Sequence, residues 1–357
     1  MGGRLTRLWT SRHPAAAAGR LALAPAAFAY DAAMHLRARA FAAGWGARRT
    51  LPLPSVGIGS LQVGGAGKTP LASWAAAWFL ARGVRPGVLL RGYGGDEGGV
   101  HRELAPGAVV VEDPDRVRGA RAALGGGAEV LVLDDNAQHL RVAPDRQILL
   151  LGIEALLGTR ARLPAGPWRE PWNAGHAQVL VVTRKTALGP DGERACALVR
   201  GAYAGLPIAR AHLTITGWRP LHGGPVLLDA ALASRTLFVL CAVADPRAFA
   251  AHAGRAGRVR ASRFLPDHAP YRPGRVRRLA QAAESAGVDY VVTTAKDAVK
   301  LRPVWPADAP PVLVAQLAVA WDEGEAFVTR ELAACLPGAP EHAGCTDAAA
   351  GTAAGMA

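Results

Sequence analysis

Short apolar runs recur along the chain between breaks rich in glycine, proline or charge, and they read as buried strands. Leu53–Leu61 is the first, followed by Gly87–Leu90, Ala108–Val111, Glu129–Asp135, Ile148–Leu151 and Val179–Val182. Between them the apolar positions switch to helical spacing, over Leu71–Ala81 and Asp115–Leu124. The alternation resumes downstream. Strands are predicted at Thr236–Val243, Tyr290–Thr293 and Val312–Ala315, and helices from Asp245-Pro246 onward, over Arg275–Ala286 and over Glu323–Cys335. This order predicts an α/β fold with a mainly parallel sheet flanked by helices. Gly217–Gly224 interrupts it and reads as a junction. The predicted domains are a core at 51–216, a smaller α/β domain at 217–337 and an Ala/Gly-rich disordered tail at 338–357.

Residues 1–50 form a separate segment. Arg4, Arg7 and Arg12 precede the apolar run Leu21–Tyr30, and Arg37, Arg39, Arg48 and Arg49 follow it. Only ten residues separate Arg20 from Asp31, with Pro25 among them, too few to cross a bilayer. The preferred reading is an interfacial anchor, apolar on one side, with arginines facing anionic lipid. A signal peptide and a buried N-terminal helix are the competing readings.

Lysine and arginine outnumber aspartate and glutamate by 41 to 28. The excess is spread along the chain without interleaved aromatics, which speaks for phosphorylated or lipid partners and against nucleic acid. Lys68, Lys185, Lys296 and Lys300 are the only lysines, so one inside a glycine loop carries weight. The four cysteines have no CxxC spacing and read as free thiols of a reducing compartment.

The glycine loop is Val63-Gly64-Gly65-Ala66-Gly67-Lys68-Thr69-Pro70. Glycines let backbone N–H groups curl around an anion, and the helix behind adds unpaired donors and a positive dipole end. Gly64, Gly65, Ala66, Gly67, Lys68 and Thr69 thus read as a nucleotide-phosphate cradle, with the Thr69 hydroxyl a candidate ligand for Mg2+. Gln62 stands where the strict pattern has glycine. The run Glu129–Asp134-Asp135 is an apolar strand ending in carboxylates, the usual metal-positioning partner of such a loop. Together they predict a P-loop NTPase-like core. Arg91-Gly92-Tyr93-Gly94-Gly95-Asp96-Glu97 ends another strand, where open α/β sheets gather functional groups. Leu163–Trp172 is a stiff Pro/Trp loop that suits either a lipid- or sugar-facing wall or a packing corner. Asn136 is a residue type that tolerates a left-handed turn.

These segments, with Pro266-Asp267-His268 and Thr294–Lys300, resemble in order the tetraacyldisaccharide 4'-kinase family of lipid A biosynthesis. The resemblance implies transfer of the ATP γ-phosphoryl group, with Mg2+, to the 4'-hydroxyl of an acylated glucosamine disaccharide 1-phosphate. It implies action at the cytoplasmic face of a Gram-negative inner membrane, with the N-terminal segment membrane-associating. Lys68 and Thr69 would hold phosphate and metal, and Asp134 and Asp135 match the paired metal-site aspartates. Asp96 would be the base, assisted by His268. Arg91, Tyr93, Glu97, Arg116, Gln138, His139, Arg169 and Glu170 would line the substrate site.

The chain departs from the family at Ser60, Gln62, Asn136, Ala137 and Ala295, and the Arg-Gly-Tyr-Gly-Gly turn is fused to Asp96-Glu97. The residues also allow a P-loop phosphotransferase or NTPase with another acceptor, or a non-catalytic nucleotide- or membrane-binding relative.

Overall fold

The computed structural model describes residues 8–9, 11, 13–45, 49–63, 65–92, 96–139, 141–171, 173, 176–184, 189–243, 245–266 and 269–339. Gly64, Tyr93, Gly94, Gly95, Asp267 and His268 lie outside them, as does the tail beyond 339.

Strands β1 (Ser55–Ser60), β2 (Pro86–Leu90), β3 (Val109–Glu112), β4 (Val130–Asp134), β5 (Arg146–Gly152), β6 (Val179–Arg184) and β7 (Ile208–Pro220) form a first block. A second contains β8 (Thr236–Cys241), β9 (Arg258–Phe264), β10 (Tyr290–Thr293) and β11 (Val312–Glu323). One eleven-stranded sheet holds all of them, in the order β3-β2-β4-β1-β5-β6-β7-β11-β10-β8-β9. Every neighbouring pair is parallel except β7 with β11, which run antiparallel and join the blocks. Buried runs such as Val130–Asp134 and Thr236–Cys241 suit parallel strands covered on both faces.

Helices α1 (Pro14–Ala22) and α2 (Ala24–Ala42) precede the sheet. The first block carries α3 (Lys68–Leu80), α4 (Glu97–Leu104), α5 (Arg116–Gly125), α6 (Ile153–Leu156) and α7 (Gly189–Ala202). Then come α8 (Asp229–Leu232), α9 (Pro246–Ala256), α10 (Pro273–Ser285), α11 (Ala295–Leu301) and α12 (Glu325–Ala333). Asp115 caps α5 and Asp245 caps α9, each carboxylate accepting from backbone N–H groups of the first turn.

The expected junction at Gly217 falls inside β7. Gly217 is small because the Val226–Leu227 segment presses on it. A Cβ there would sit 2.4 Å from Val226 Cγ1, while Trp218 and Leu227 exchange backbone hydrogen bonds of 2.8 Å. The alternation of β7 is only half-buried, which hid it from the apolar-run criterion. The last helix also departs from the expected division. Val328, Leu332 and Cys335 pack into the first block's core beside Ala72, Ala76 and Val179. Their apolar faces match that core, so this helix returns to the first block. Conversely Val100 of α4 packs with Ala298 and Leu301 in the second block.

Candidate active site

The first block changes winding direction at β1, which lies between β4 and β5. Crevices at such points, beyond the strands' carboxyl ends, are where open α/β sheets bind ligands. β1 ends at Ser60, and the glycine loop follows. Gly65 (φ 60°) and Gly67 (φ 84°) adopt the left-handed conformation that side chains disfavour. The helix opens at Lys68, three residues earlier than its apolar pattern suggests, so the loop's last residues supply its first turn. Behind the loop, Thr183 Oγ1 donates to the Ala66 carbonyl at 2.8 Å. Gln62 secures the entry: Gly152 N–H donates to its Oε1 at 3.0 Å.

The Pro/Trp loop proves to be a packing corner at Trp168. That indole is fully buried and donates to the Thr159 carbonyl at 3.1 Å. Val63 N–H donates to the Pro167 carbonyl (2.7 Å) and Arg169 N–H to the Leu61 carbonyl (2.8 Å), pinning the corner along the loop's entry. Arg169 is thereby delivered to the site. Its Nη1 donates to Gln138 Oε1 at 2.8 Å and lies 3.4 Å from Asp135 Oδ2.

β4 brings Asp134 and Asp135 opposite the loop. Thr69 Oγ1 donates to Asp134 Oδ2 at 2.9 Å, and Lys68 Nζ lies 3.5 Å from Asp135 Oδ1. Burial raises the Asp134 pKa, but the bond and charge of His101, the charge of Lys68 and the Thr69 bond outweigh it and leave the carboxyl below its usual range. Asp135, not Asn136, takes the left-handed conformation, with φ 55°. Asn136 is buried, with its side-chain nitrogen close to Gly57. Gly59 admits the turn that follows, since a Cβ on it would lie 2.6 Å from the Ala137 backbone nitrogen.

Arg116 is buried beneath this turn and donates to the Asp134 carbonyl at 2.7 Å. Its Nε and Nη1 are buried without a partner. Gln138 Nε2 donates to the Ser60 carbonyl. His139 is held down to about 4, first by burial and then by Arg116 and Arg91. Burial likewise raises Glu170. Arg91 is exposed at the end of β2.

Asp96 and Glu97 open α4 differently from one another. Asp96 is fully buried and pairs with Lys300 of α11 at 2.8 Å. Glu97 is half-buried, and its pKa rises to about 7, first from burial and then from the negative charge of Asp134. The sequence assigns no role to Lys300 or His101. His101 lies one turn after Glu97, fully buried, with Nε2 3.1 Å from Asp134 Oδ2. That spacing on the helix was its available signal.

The N-terminal helices reach the same place. Arg162 Nε bonds Asp31 Oδ1 at 2.9 Å, and Arg37 Nη2 donates to the Gln138 carbonyl. Leu21, Phe28, Leu36 and Trp45 remain largely exposed. Among the described residues no helix is long and apolar enough to cross a membrane.

The sequence profile of the family described as Tetraacyldisaccharide-1-P 4'-kinase matches residues 19–107 and 95–335. The two matches overlap at 95–107, where the Arg-Gly-Tyr-Gly-Gly turn and Asp96-Glu97 are fused. A tetraacyldisaccharide 4'-kinase of Geobacter metallireducens is 38% identical over 77% of this chain and 86% of its own. Another, of Pelobacter propionicus, is 32% identical over 83% and 87%. The crystal structure of LpxK from Aquifex aeolicus in complex with ATP has the same fold, with a TM-score of 0.66 and 24% identity, covering 88% of this chain and 99% of that one. The chain belongs to the tetraacyldisaccharide-1-P 4'-kinase family.

Proposed function

We propose that this protein transfers the γ-phosphoryl group of ATP to the 4'-hydroxyl of a tetraacyldisaccharide 1-phosphate, a step in lipid A biosynthesis. The carrying observation is the meeting of Lys68 and Thr69 with Asp134 and Asp135 at the end of β1, in a chain whose relatives bear that kinase name. The loop's backbone donors and Lys68 receive the nucleotide phosphates. Phosphoryl transfer needs positioning and charge neutralisation more than covalent help.

The residues fit Mg2+. Thr69 and Asp134 are adjacent, and Asp134 Oδ1 is a buried oxygen without a hydrogen-bond partner. Among the described residues no group of three or more His, Cys, Asp or Glu forms a protein-only cage. Mg2+ does not need one, because it is usually held by one or two carboxylates, substrate phosphates and water. Thr69, Asp134 and Asp135 would hold the ion, which supplies positive charge to the transferring group when bound. Arg169 and Arg116 add fixed positive charge beside Asp135 and beneath Asp134.

In the transfer, the acceptor oxygen bonds to the γ-phosphorus, the bond to the bridging β-oxygen breaks, and the acceptor proton passes to a carboxylate. Asp96 is the assigned base, with His268 as its aid. Asp96 is covered by Lys300, so Lys300 would have to release it for the hydroxyl to approach. A second reading gives the proton to Glu97, which is half-buried and feels the negative charge of both Asp134 and Asp135. Asp96→Asn and Glu97→Gln distinguish them: loss of the base costs roughly 10²–10⁴-fold in kcat.

The exposed apolar residues of α1 and α2, with the neighbouring arginines, support peripheral attachment to the anionic cytoplasmic face of the inner membrane. Attachment there would present the acylated acceptor beside Arg169 and Gln138. The test of function is purified protein with radiolabelled ATP, Mg2+ and tetraacyldisaccharide 1-phosphate. Labelled lipid supports the kinase; ATP turnover without it indicates a different acceptor.

A further inference from the structure

His101 stands at the centre of a buried polar chain that links three elements of the first block. Its Nδ1 is 2.9 Å from Ser73 Oγ on α3, and its Nε2 is 3.1 Å from Asp134 Oδ2 at the end of β4. The imidazole and Ser73 are both buried. The Asp134 carboxylate only accepts, so Nε2–H donates to it. Ser73 Oγ holds the opposite ring nitrogen, Nδ1.

The consequence lies in which carboxylate oxygen is used. Thr69 and His101 both bond Oδ2. Oδ1 is left buried without a hydrogen-bond partner. Two donors on one oxygen fix the carboxylate's rotation, which leaves the other oxygen without a protein donor. A lone Thr69 bond would leave the plane of the carboxylate free to turn.

We propose that His101 is a positioning residue that holds Asp134 with Oδ1 presented to the divalent cation accompanying the nucleotide. This rests on the reading of Asp134 as a metal carboxylate. Residues behind metal ligands orient them and typically contribute 10–100-fold in metal affinity.

The test is calorimetric binding of ATP to the full-length protein with EDTA, and then across a Mg2+ titration, so that no turnover is needed. Asp134→Asn is the control for the underlying reading. His101→Leu is expected to bind ATP in EDTA as the wild type does and to need roughly 10–100-fold more Mg2+ for half-maximal enhancement. His101→Gln places an amide N–H and a carbonyl near the positions of Nε2 and Nδ1 and should recover most of the difference. Melting temperatures of both variants report whether packing has failed. If Asp134→Asn shifts the Mg2+ requirement and His101→Leu does not, the positioning role is wrong while the metal reading stands. If Asp134→Asn shifts nothing, the metal reading itself fails. Equal loss in the Leu and Gln variants, with ATP binding in EDTA also lost, overturns the proposal in favour of a packing role.

Discussion

Lys300 Nζ lies 2.8 Å from Asp96 Oδ2, tying the turn that opens α4 to a helix of the second block. The Asp96 side chain is fully buried, while that of Lys300 keeps 19% of its surface exposed. A second tie runs beside it, from Arg302 Nη2 to Glu103 Oε2 at 3.2 Å. Helix α4 therefore touches Asp134 through His101 and the second block through Asp96. Removing one partner of a buried pair strands the other charge, at a cost of about 3–5 kcal/mol. Lys300→Met is expected to lose stability of that order in urea unfolding, and Asp96→Asn combined with Lys300→Met to recover much of it. A Lys300→Met loss no larger than that of an exposed lysine would mean the pair contributes little.

The pH dependence of stability should separate Glu97 from His139. Folding raises Glu97 to about 7, so its contribution is fully present below the ordinary carboxylate range and lost as pH rises through about 7. Folding lowers His139 from 6.5 to about 4, so its contribution is present above 6.5 and lost as pH falls towards 4. The two slopes oppose each other where the windows overlap. In EDTA without nucleotide, the melting temperature of Glu97→Gln should rise more steeply with pH than that of the wild type between about pH 5 and 6.5. His139→Gln should do the reverse. Parallel curves for all three proteins would refute both assignments.

Gly59 holds the acidic turn in place by having no side chain. A Cβ would lie 2.5 Å from Ala137 Cβ and 2.6 Å from its backbone nitrogen. Gly59→Val should push the turn that carries Asp135, and misplacement by about 1 Å at such a site costs on the order of 10²-fold in rate. Single-turnover phosphoryl transfer by the folded variant is the appropriate measurement. A rate within a few-fold of wild type would show that the turn yields freely.

Gln62 departs from the glycine of the loop pattern, and its amide carbonyl accepts from the buried Gly152 N–H. Gln62→Ala leaves that donor unsatisfied, which costs about 1–3 kcal/mol. Chemical denaturation should show that loss, with little change in the KM for ATP. A variant that binds ATP tenfold more weakly at unchanged stability would instead place Gln62 in the nucleotide site.

Strands such as Val130–Asp134 and Tyr290–Thr293 were legible because parallel strands buried on both faces read as unbroken apolar runs. The glycine loop and the acidic strand end were legible because their chemistry constrains neighbouring residues. β7 was not, since its half-buried alternation passes through Gly217, a residue that looks like a linker until Val226 and Leu227 are seen against it. α4 was missed because Gly98 and Gly99 dilute its helical pattern, and with it His101 went unnoticed. Lys300 lies in a recognised segment, but its pairing with Asp96 spans two blocks and no local spacing encodes it. Arg116 was expected at the substrate, and its bond to the Asp134 carbonyl adds a bracing role the sequence does not express.

The most direct test of the account is the position and residue dependence of phosphate transfer to tetraacyldisaccharide 1-phosphate. Purified protein, ATP and Mg2+ should give a product whose new phosphorus resonance and fragmentation place phosphate on the 4'-oxygen. Lys68→Ala and Asp135→Ala should abolish it while remaining folded. ATP hydrolysis with no lipid product, or a product that persists in both variants, would contradict the account.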